Sequence, residues 1–140
     1  MFNDLKNIKK NNHHRFSVIA LYILLMEKKS YFKLPWKALR ILFQFMMCSE
    51  YYTCSFDIDS ILSLRLPHPY GIIINRHAKI GKNCTIFHNV TIGIIEQKGA
   101  FAPIIGNDVY IGCNAVILGG GKNMQQNKNR SIIYYIKRCC

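Results

Sequence analysis

The stretch IGKNCTIFHNVTIG, residues 80–93, places an isoleucine at every sixth position and decides the fold. The same period of six begins before this stretch and resumes after an interruption further along the chain. A second apolar column stands four positions after the isoleucines and holds smaller side chains. The first column consists of Ile74, Ile80, Ile86, Ile92, Ile105, Ile111 and Ile117, and the second of Ala78, Cys84, Val90, Val109 and Ala115.

A period of six fits neither an amphipathic helix nor an alternating strand. It predicts a short strand followed by a corner, with glycine or asparagine relieving the bend. Three such strands close a coil of about 18 residues, and stacked coils pair as parallel strands about 4.8 Å apart. We therefore predict a mainly β chain, with parallel strands of about three to five residues between residues 64 and 118 and one-dimensional stacking.

The segment LPHPYGIIIN, residues 66–75, precedes the repeats and encloses His68 between two prolines. Proline fixes its own φ and pushes the residue before it out of the helical region, so Leu66 and His68 are expected to be extended. The interval from Leu66 to Ile74 is eight residues, two more than one repeat. The sequence thus predicts a stiffened bulge that aims an imidazole outward.

The N-terminal part of the chain follows a helical period. Residues 1–14 are polar and basic and are expected to form a frayed lead. From residue 15 to about residue 47 apolar side chains recur every three or four positions, with breaks near Ser30 and at Pro35, which predicts two short amphipathic helices. We expect helix mainly within residues 15–50, packed as a cap on the β region; docking on a membrane or a partner is the alternative.

The period changes near Cys54, and this change divides the chain. We predict a basic helical segment over residues 1–55, a β domain over residues 56–122 and a basic tail over residues 123–140. The net charge of +12 lies mainly on the two flanks, while the centre is nearly neutral. A solvated basic surface explains this better than nucleic-acid binding, because no recognised nucleic-acid module is present, and weak contact with an anionic membrane surface stays open.

Targeting and metal-binding patterns are missing from the sequence. The longest apolar run, residues 16–26, is far shorter than the roughly 20 residues of a bilayer span. The six cysteines show neither CxxC nor a metal-ligand spacing with histidine, and the N-terminus does not resemble a signal peptide. We expect reduced thiols, no metal cofactor and a cytoplasmic location.

The hexads IGKNCT, IFHNVT, IGNDVY and IGCNAV, together with the LPHPYGIIIN segment, resemble the hexapeptide-repeat acyltransferases. The similarity is to the serine O-acetyltransferase branch and its relatives in polysaccharide gene sets, and it covers about residues 64–122. It implies a left-handed parallel β-helix, which departs from the usual right-handed crossover. It also implies a homotrimer with active sites between neighbouring solenoids, and acetyl transfer from acetyl-CoA to a small-molecule alcohol.

The resemblance also implies roles for individual residues. His68 matches the general base, and Asp57, in FDIDS, matches the aspartate that orients it. An alcohol must lose its proton as it attacks a thioester, and an imidazole with a pKa near 6.5 suits that task. His88 faces outward by its place in the hexad IFHNVT, which predicts that it borders the acceptor site; a surface histidine on that face is the alternative. Lys98, in the extra residues between the two repeat blocks, and Gly112, in IGCNAV, would contact coenzyme A.

Three positions depart from the family pattern. Pro67 stands where the serine enzymes commonly have aspartate, and Phe101 and Ala102 stand where those enzymes have a basic residue and a second histidine. A carboxylate-binding arginine and a second catalytic histidine are therefore missing. The expected function is a serine acetyltransferase-like O-acetyltransferase, and these departures favour the alternative of a sugar or polysaccharide O-acetyltransferase.

The last residues break the pattern. The family would continue with at least one more glycine-isoleucine coil, whereas residues 123–140 read NMQQNKNRSIIYYIKRCC. This composition predicts a truncation or a change of reading frame in the C-terminal part. A second alternative function follows, an inactive remnant that acts only as an assembly module.

Overall fold

The computed structural model describes residues 2–49, 56–94 and 102–119 of the chain. Within these ranges, helices come first and strands follow. The helices are α1 Phe2–Asn11, α2 Arg15–Lys29, α3 Lys33–Met47 and α4 Ile58–Ser63. The strands are β1 Ile73–Ile74, β2 Lys79–Ile80, β3 Thr85–Ile86, β4 Thr91–Gly93, β5 Ile104–Ile105, β6 Tyr110–Ile111 and β7 Val116–Leu118.

The strands form three small parallel sheets, ordered β1-β4-β7, β2-β5 and β3-β6. Each paired strand thus contacts the strand three further along the chain, and the chain visits three faces in turn. We call residues 72–94 and 102–119, which carry these strands, the repeat region. Parallel pairing is as predicted, but the expected strand length was wrong, because the strands have only two or three residues. Each hexad leaves little more than two residues between its corners.

The isoleucine column forms the core of the repeat region. Ile92 of β4 pairs with Ile74 on one side and Ile117 on the other, and the remaining column members pair in the same way. All seven isoleucines are at most 4% exposed, and the smaller second column is buried beside them. The stacked isoleucines remove each other's apolar surface from water, and this burial is the main favourable term in folding.

Asparagine and aspartate make the corners between the strands. Asn83, Asn89, Asp108 and Asn114 have φ values between 54° and 59°, a conformation that these residue types tolerate better than most. Their side chains also bond between coils, since Asn83 Nδ2 donates to Asp108 Oδ1 at 3.1 Å and Asn89 Nδ2 to Asn114 Oδ1 at 3.3 Å. Gly81 is needed for a different reason, because the backbone of the next coil passes close to it. A Cβ at this position would lie 2.5 Å from the Gly106 carbonyl oxygen.

The expected frayed lead was wrong, because α1 occupies most of it. Ile8 is fully buried, and Asn11 Nδ2 donates to the Leu62 carbonyl of α4 at 3.2 Å. Asp4 in the first turn and two lysines in the last suit the helix dipole. Packing against α4 thus stabilises a segment whose composition alone suggested no order.

The other two predicted helices are present as α2 and α3, separated at Ser30. Pro35 does not break the chain, because it lies in the first turn of α3, where its missing N–H leaves no bond unmade. Arg40 of α3 pairs with Glu27 of α2 at 2.8 Å. The added helix α4 shows that helix is not confined to residues 15–50. Among the described helices, none combines the length and apolar character needed to cross a membrane.

Candidate functional site

The segment between α4 and β1 carries His68 and is joined to the repeat region through Arg65. This residue forms an isolated parallel bridge with Thr85 of β3. Its N–H donates to the Cys84 carbonyl at 2.9 Å, and its carbonyl accepts from the Ile86 N–H at 2.9 Å. The chain then bends at residues 67 and 68, where the side chain of His68 is exposed.

The N-terminal helices hold the start of this bend through two buried side chains. Asn12 Oδ1 accepts from the Leu66 N–H at 2.7 Å, and Asn12 Nδ2 donates to the Leu64 carbonyl at 2.9 Å. The Ser17 hydroxyl donates to the Leu66 carbonyl. Both side chains are at most 5% exposed, so these bonds form away from water.

Ser49, which follows α3, holds the other end of the bend. Its hydroxyl oxygen lies 3.0 Å from the Pro69 carbonyl and accepts from the Ile72 N–H at 3.2 Å. The Gly71 N–H donates to the Met47 carbonyl at 3.2 Å. We call Asn12, Ser17 and Ser49 the clasp. The clasp fixes the backbone on both sides of His68.

Three histidines meet at this bend, and we call them the histidine cluster. The ring centroid of His68 lies 5.7 Å from that of His88 and 6.0 Å from that of His14, both in edge-on contact. The rings of Phe87 and Tyr70 lie beside the cluster. Aromatic rings thus pack against His68 and His14.

Two nitrogens of the cluster have no hydrogen-bond partner among the described residues. These are His14 Nδ1 and His88 Nδ1, both buried. The other nitrogen of His14, Nε2, lies 3.4 Å from the Tyr70 hydroxyl. Buried polar atoms in proteins are nearly always paired, so these two nitrogens are exceptions within the described part of the chain.

His68 and His14 line a cleft of about 790 Å³ at the junction of the helices and the repeat region. Lys10, Arg65 and Tyr110 also line it. Among the described lining residues there is no carboxylate. The cleft is therefore suited to a polar or anionic ligand.

Two curated acetyltransferases are similar to part of this chain. The WcaB acetyltransferase of Escherichia coli strain K12, named for colanic acid biosynthesis, is 42% identical over 52 residues, which are 37% of this chain and 32% of that protein. A serine acetyltransferase of Helicobacter pylori strain 26695 is 39% identical over 57 residues, 40% of this chain and 33% of that protein. Over these stretches the chain is similar to acetyltransferases.

The match to these acyltransferases is partial. The chain spans about a third of the length of the curated relatives it matches, and no family model matches it. Serine acetyltransferase isoform 3 from Entamoeba histolytica, solved in complex with cysteine, superposes with a TM-score of 0.52 over 75% of this chain and 36% of that chain. At 22% identity this likeness shows the fold alone.

The structure brings two of the predicted acyltransferase residues together and separates a third. His68 and His88 lie in ring contact. Asp57, proposed to orient His68, lies at the start of α4 and lines another cavity, of about 970 Å³, beside Glu27 and Arg40. Within the described residues, the linings of that cavity and of the His68 cleft have no residue in common.

The two residues expected to contact coenzyme A are placed differently. Lys98 lies outside the described residues, as does the tail over residues 123–140. Gly112 directly follows β6 and faces open space, since a Cβ there would meet no atom within 4 Å. Within the described part of the chain, no group of three or more histidine, cysteine, aspartate or glutamate side chains is arranged to hold a metal ion.

His14 is the site residue that sequence reasoning missed. It lies in the stretch expected to be a frayed lead, 54 positions before His68. Its neighbour Asn12, which bonds to the backbone ahead of His68, was missed for the same reason. Nothing in the local sequence marks either residue, because their roles depend on contacts between distant segments.

Proposed function

We propose that this chain is an acetyl-CoA-dependent O-acetyltransferase, similar to serine acetyltransferase, in which His68 acts as the general base. One observation carries the proposal: an exposed histidine lines a cleft that also holds cationic side chains, on a bend tied at both ends by buried hydrogen bonds. A base must be held in position to contribute fully to a proton transfer. The relatives named as acetyltransferases support the reaction class.

The proposed reaction needs only one proton carrier. A ring nitrogen of His68 takes the proton of the acceptor hydroxyl as the oxygen attacks the thioester carbonyl carbon of acetyl-CoA. The bond between carbonyl carbon and sulfur then breaks, and the imidazolium returns the proton to the departing coenzyme A thiolate. His68 is thus unchanged after one turnover, and the products are an acetyl ester and coenzyme A.

The cationic lining of the cleft supports a phosphate-bearing co-substrate. Lys10 and Arg65 are exposed there, and charge-assisted hydrogen bonds to phosphate are stronger than neutral ones. Lys98 and Gly112 remain proposed contacts of coenzyme A, and Asp57 remains a proposed partner of His68 without support from its position. His88 is proposed to border the acceptor.

Two acceptors are proposed, serine and a sugar hydroxyl. Serine follows from the serine acetyltransferase relatives. The sugar alternative is favoured by Ala102, which precedes Pro103 where the serine enzymes carry a second histidine, and by the similarity to WcaB. A remnant that only assembles with other copies is the proposed inactive alternative.

We also propose a left-handed parallel β-helix that associates as a homotrimer. The three parallel sheets and the every-third-strand pairing support the helical coil. A trimer would place the His68 cleft of one subunit against a neighbouring repeat region.

Release of coenzyme A thiol tests the proposal, measured with serine or a hexose as acceptor. We expect His68→Ala to lower the rate by about 10²–10⁴, the usual contribution of a positioned base. His77→Ala is the matched control, because His77 is exposed and its ring bonds to Arg76. His88→Ala should cost much less than His68→Ala. Full turnover by His68→Ala would refute the role of His68 as general base. Failure of the purified protein to bind coenzyme A at millimolar concentration would favour the inactive assembly module.

A further inference from the structure

His14 shares the cleft with His68 although it belongs to the N-terminal helical segment. It immediately precedes α2, and its ring meets the His68 ring edge-on at 6.0 Å. Both side chains line the cleft. A residue that contacts the proposed base and faces the same cleft is in position to contact the substrate.

The clasp fixes His14 relative to His68. Asn12 lies two residues before His14, and Ser17 lies three residues after it. Both bond to the backbone of Leu66 or Leu64, just ahead of His68. The distance between the two imidazoles is therefore set by buried hydrogen bonds on both sides of His14, as a two-point binding site requires.

His14 has hydrogen-bonding capacity that its own chain leaves unused. Its Nδ1 is buried without a partner among the described residues, and its Nε2 has the Tyr70 hydroxyl at 3.4 Å, a long hydrogen bond. A neutral imidazole carries one donor and one acceptor. The ring lines the cleft, so a polar group bound there beside His68 would meet a histidine whose hydrogen-bonding capacity is incompletely used.

We propose that His14 binds the acceptor through a second hydroxyl, next to the hydroxyl that His68 deprotonates. This inference rests on the proposed function of His68 and specifies the substrate class. A hydroxyl both donates and accepts, so it satisfies a neutral imidazole in either tautomer. The acceptor is then a polyol, such as a sugar ring, rather than an alcohol with a single hydroxyl.

Acceptor discrimination tests this role. The probes are a methyl hexopyranoside and its monodeoxy analogues, each assayed for kcat/KM with acetyl-CoA. We expect the full polyol to exceed the poorest deoxy analogue by about tenfold or more, because a site built for a hydroxyl is left unpaired by an analogue that lacks it. His14→Phe keeps a ring beside Tyr70 and should reduce this ratio to within about twofold.

Two variants separate binding from a structural role. His14→Gln retains a donor and an acceptor and should restore part of the discrimination. His77→Phe, on an exposed corner, should leave the ratio unchanged. An unaltered ratio in His14→Phe would overturn the inference. So would an equal loss of kcat on all acceptors at constant KM, because it would place His14 at the reacting centre.

Chemical modification of the wild-type protein provides a second test, which does not depend on the folding of the His14→Phe variant. Diethyl pyrocarbonate modifies histidines, and mass spectrometry assigns the modified residue in the wild-type protein. The full polyol should protect His14 from modification more than the poorest monodeoxy substrate does. Equal protection by the two compounds would refute the inference. If the wild-type protein acetylates no alcohol at all, the proposed function fails; if it does so without discrimination, only the role of His14 fails.

Discussion

The repeat region and the N-terminal helices are held together by different means. In the repeat region, an isoleucine column and backbone ladders recur at every turn. The helices instead reach the His68 bend through three particular polar side chains, which form the clasp. α3 also leaves large apolar side chains such as Leu34 and Phe45 exposed, at 80% and 84%.

This difference separates stability from positioning. A repeated apolar contact contributes stability at every coil, because each coil packs against its neighbours. A buried polar contact between distant segments instead fixes one particular position, since loss of one partner leaves the other unsatisfied. The cleft lies where the two kinds of structure meet, so the repeats supply a rigid wall and the helices fix the imidazoles.

The largest effect is expected from a break in the isoleucine column. Ile74 and Ile73 are neighbours in β1, but Ile74 is 2% exposed and Ile73 is 45% exposed. We expect Ile74→Ala to lower the free energy of unfolding by about 2–5 kcal/mol, through lost apolar burial and the cavity left between coils. Urea unfolding monitored by circular dichroism measures it.

Ile73→Ala is the matched control for this experiment. It removes the same atoms from the same strand but from the solvent side, so we expect a change of about 0.5 kcal/mol or less. Equal losses for the two variants would show that strand propensity, rather than the column, stabilises the repeat region.

The period in the sequence predicted the parallel repeat region because each hexad repeats one local solution. The column positions were correct, and so was the use of asparagine at corners such as Asn89. Strand length was overestimated, since the corners consume most of each hexad. The α1 helix was missed because its stability comes from burying Ile8 against distant segments, which a composition reading cannot detect.

The site was only partly predictable. His68 stood out because two prolines flank it and two extra residues interrupt the period. His88 followed from its place in a hexad. His14 and Asn12 carry no local signal, because their partners lie more than 50 positions away, the His68 and Tyr70 rings for His14 and backbone atoms for Asn12.

A second, smaller effect should come from opening the clasp. Asn12→Ala removes the partners of the Leu66 N–H and the Leu64 carbonyl, both in a buried position. We expect a loss of about 1–3 kcal/mol in unfolding free energy, the cost of leaving buried polar groups unpaired. If the chain is active, kcat should fall with little change in the KM for acetyl-CoA.

Asn11→Ala provides the comparison for Asn12→Ala. Asn11 is the preceding residue and makes one part-buried bond, to the Leu62 carbonyl, away from the bend. It should lose less stability and leave kcat nearly unchanged. Asn12→Asp keeps the acceptor for Leu66 but loses the donor for Leu64, and an intermediate kcat is expected. Identical kinetics for the two alanine variants would refute a positioning role for Asn12.

The smallest effect is expected at the ion pair between Asp59 of α4 and Lys82 of the repeat region, 2.7 Å apart. The hydrogen bond from Lys82, and then its charge, lowers the pKa of the Asp59 carboxyl; the same two effects of Asp59 raise the pKa of Lys82. The contribution of Asp59 to stability is therefore present above the ordinary carboxyl pKa and is lost as pH falls through the lowered value. That of Lys82 is present below the ordinary amine pKa and is lost as pH rises through the raised value.

The pair should therefore stabilise the junction of α4 and the repeat region between about pH 4 and pH 10. Both side chains are more than half exposed, so the effect should be less than that of either preceding substitution and should shrink in high salt. A double-mutant cycle of Asp59→Asn and Lys82→Gln, measured by urea unfolding at pH 7 and pH 2.5, isolates the coupling. The coupling should be smaller at pH 2.5 than at pH 7, because the charge of Asp59 is lost as pH falls through its lowered pKa. Coupling that is undiminished at every acidic pH down to unfolding would show that the bond to Lys82 does not depend on charge.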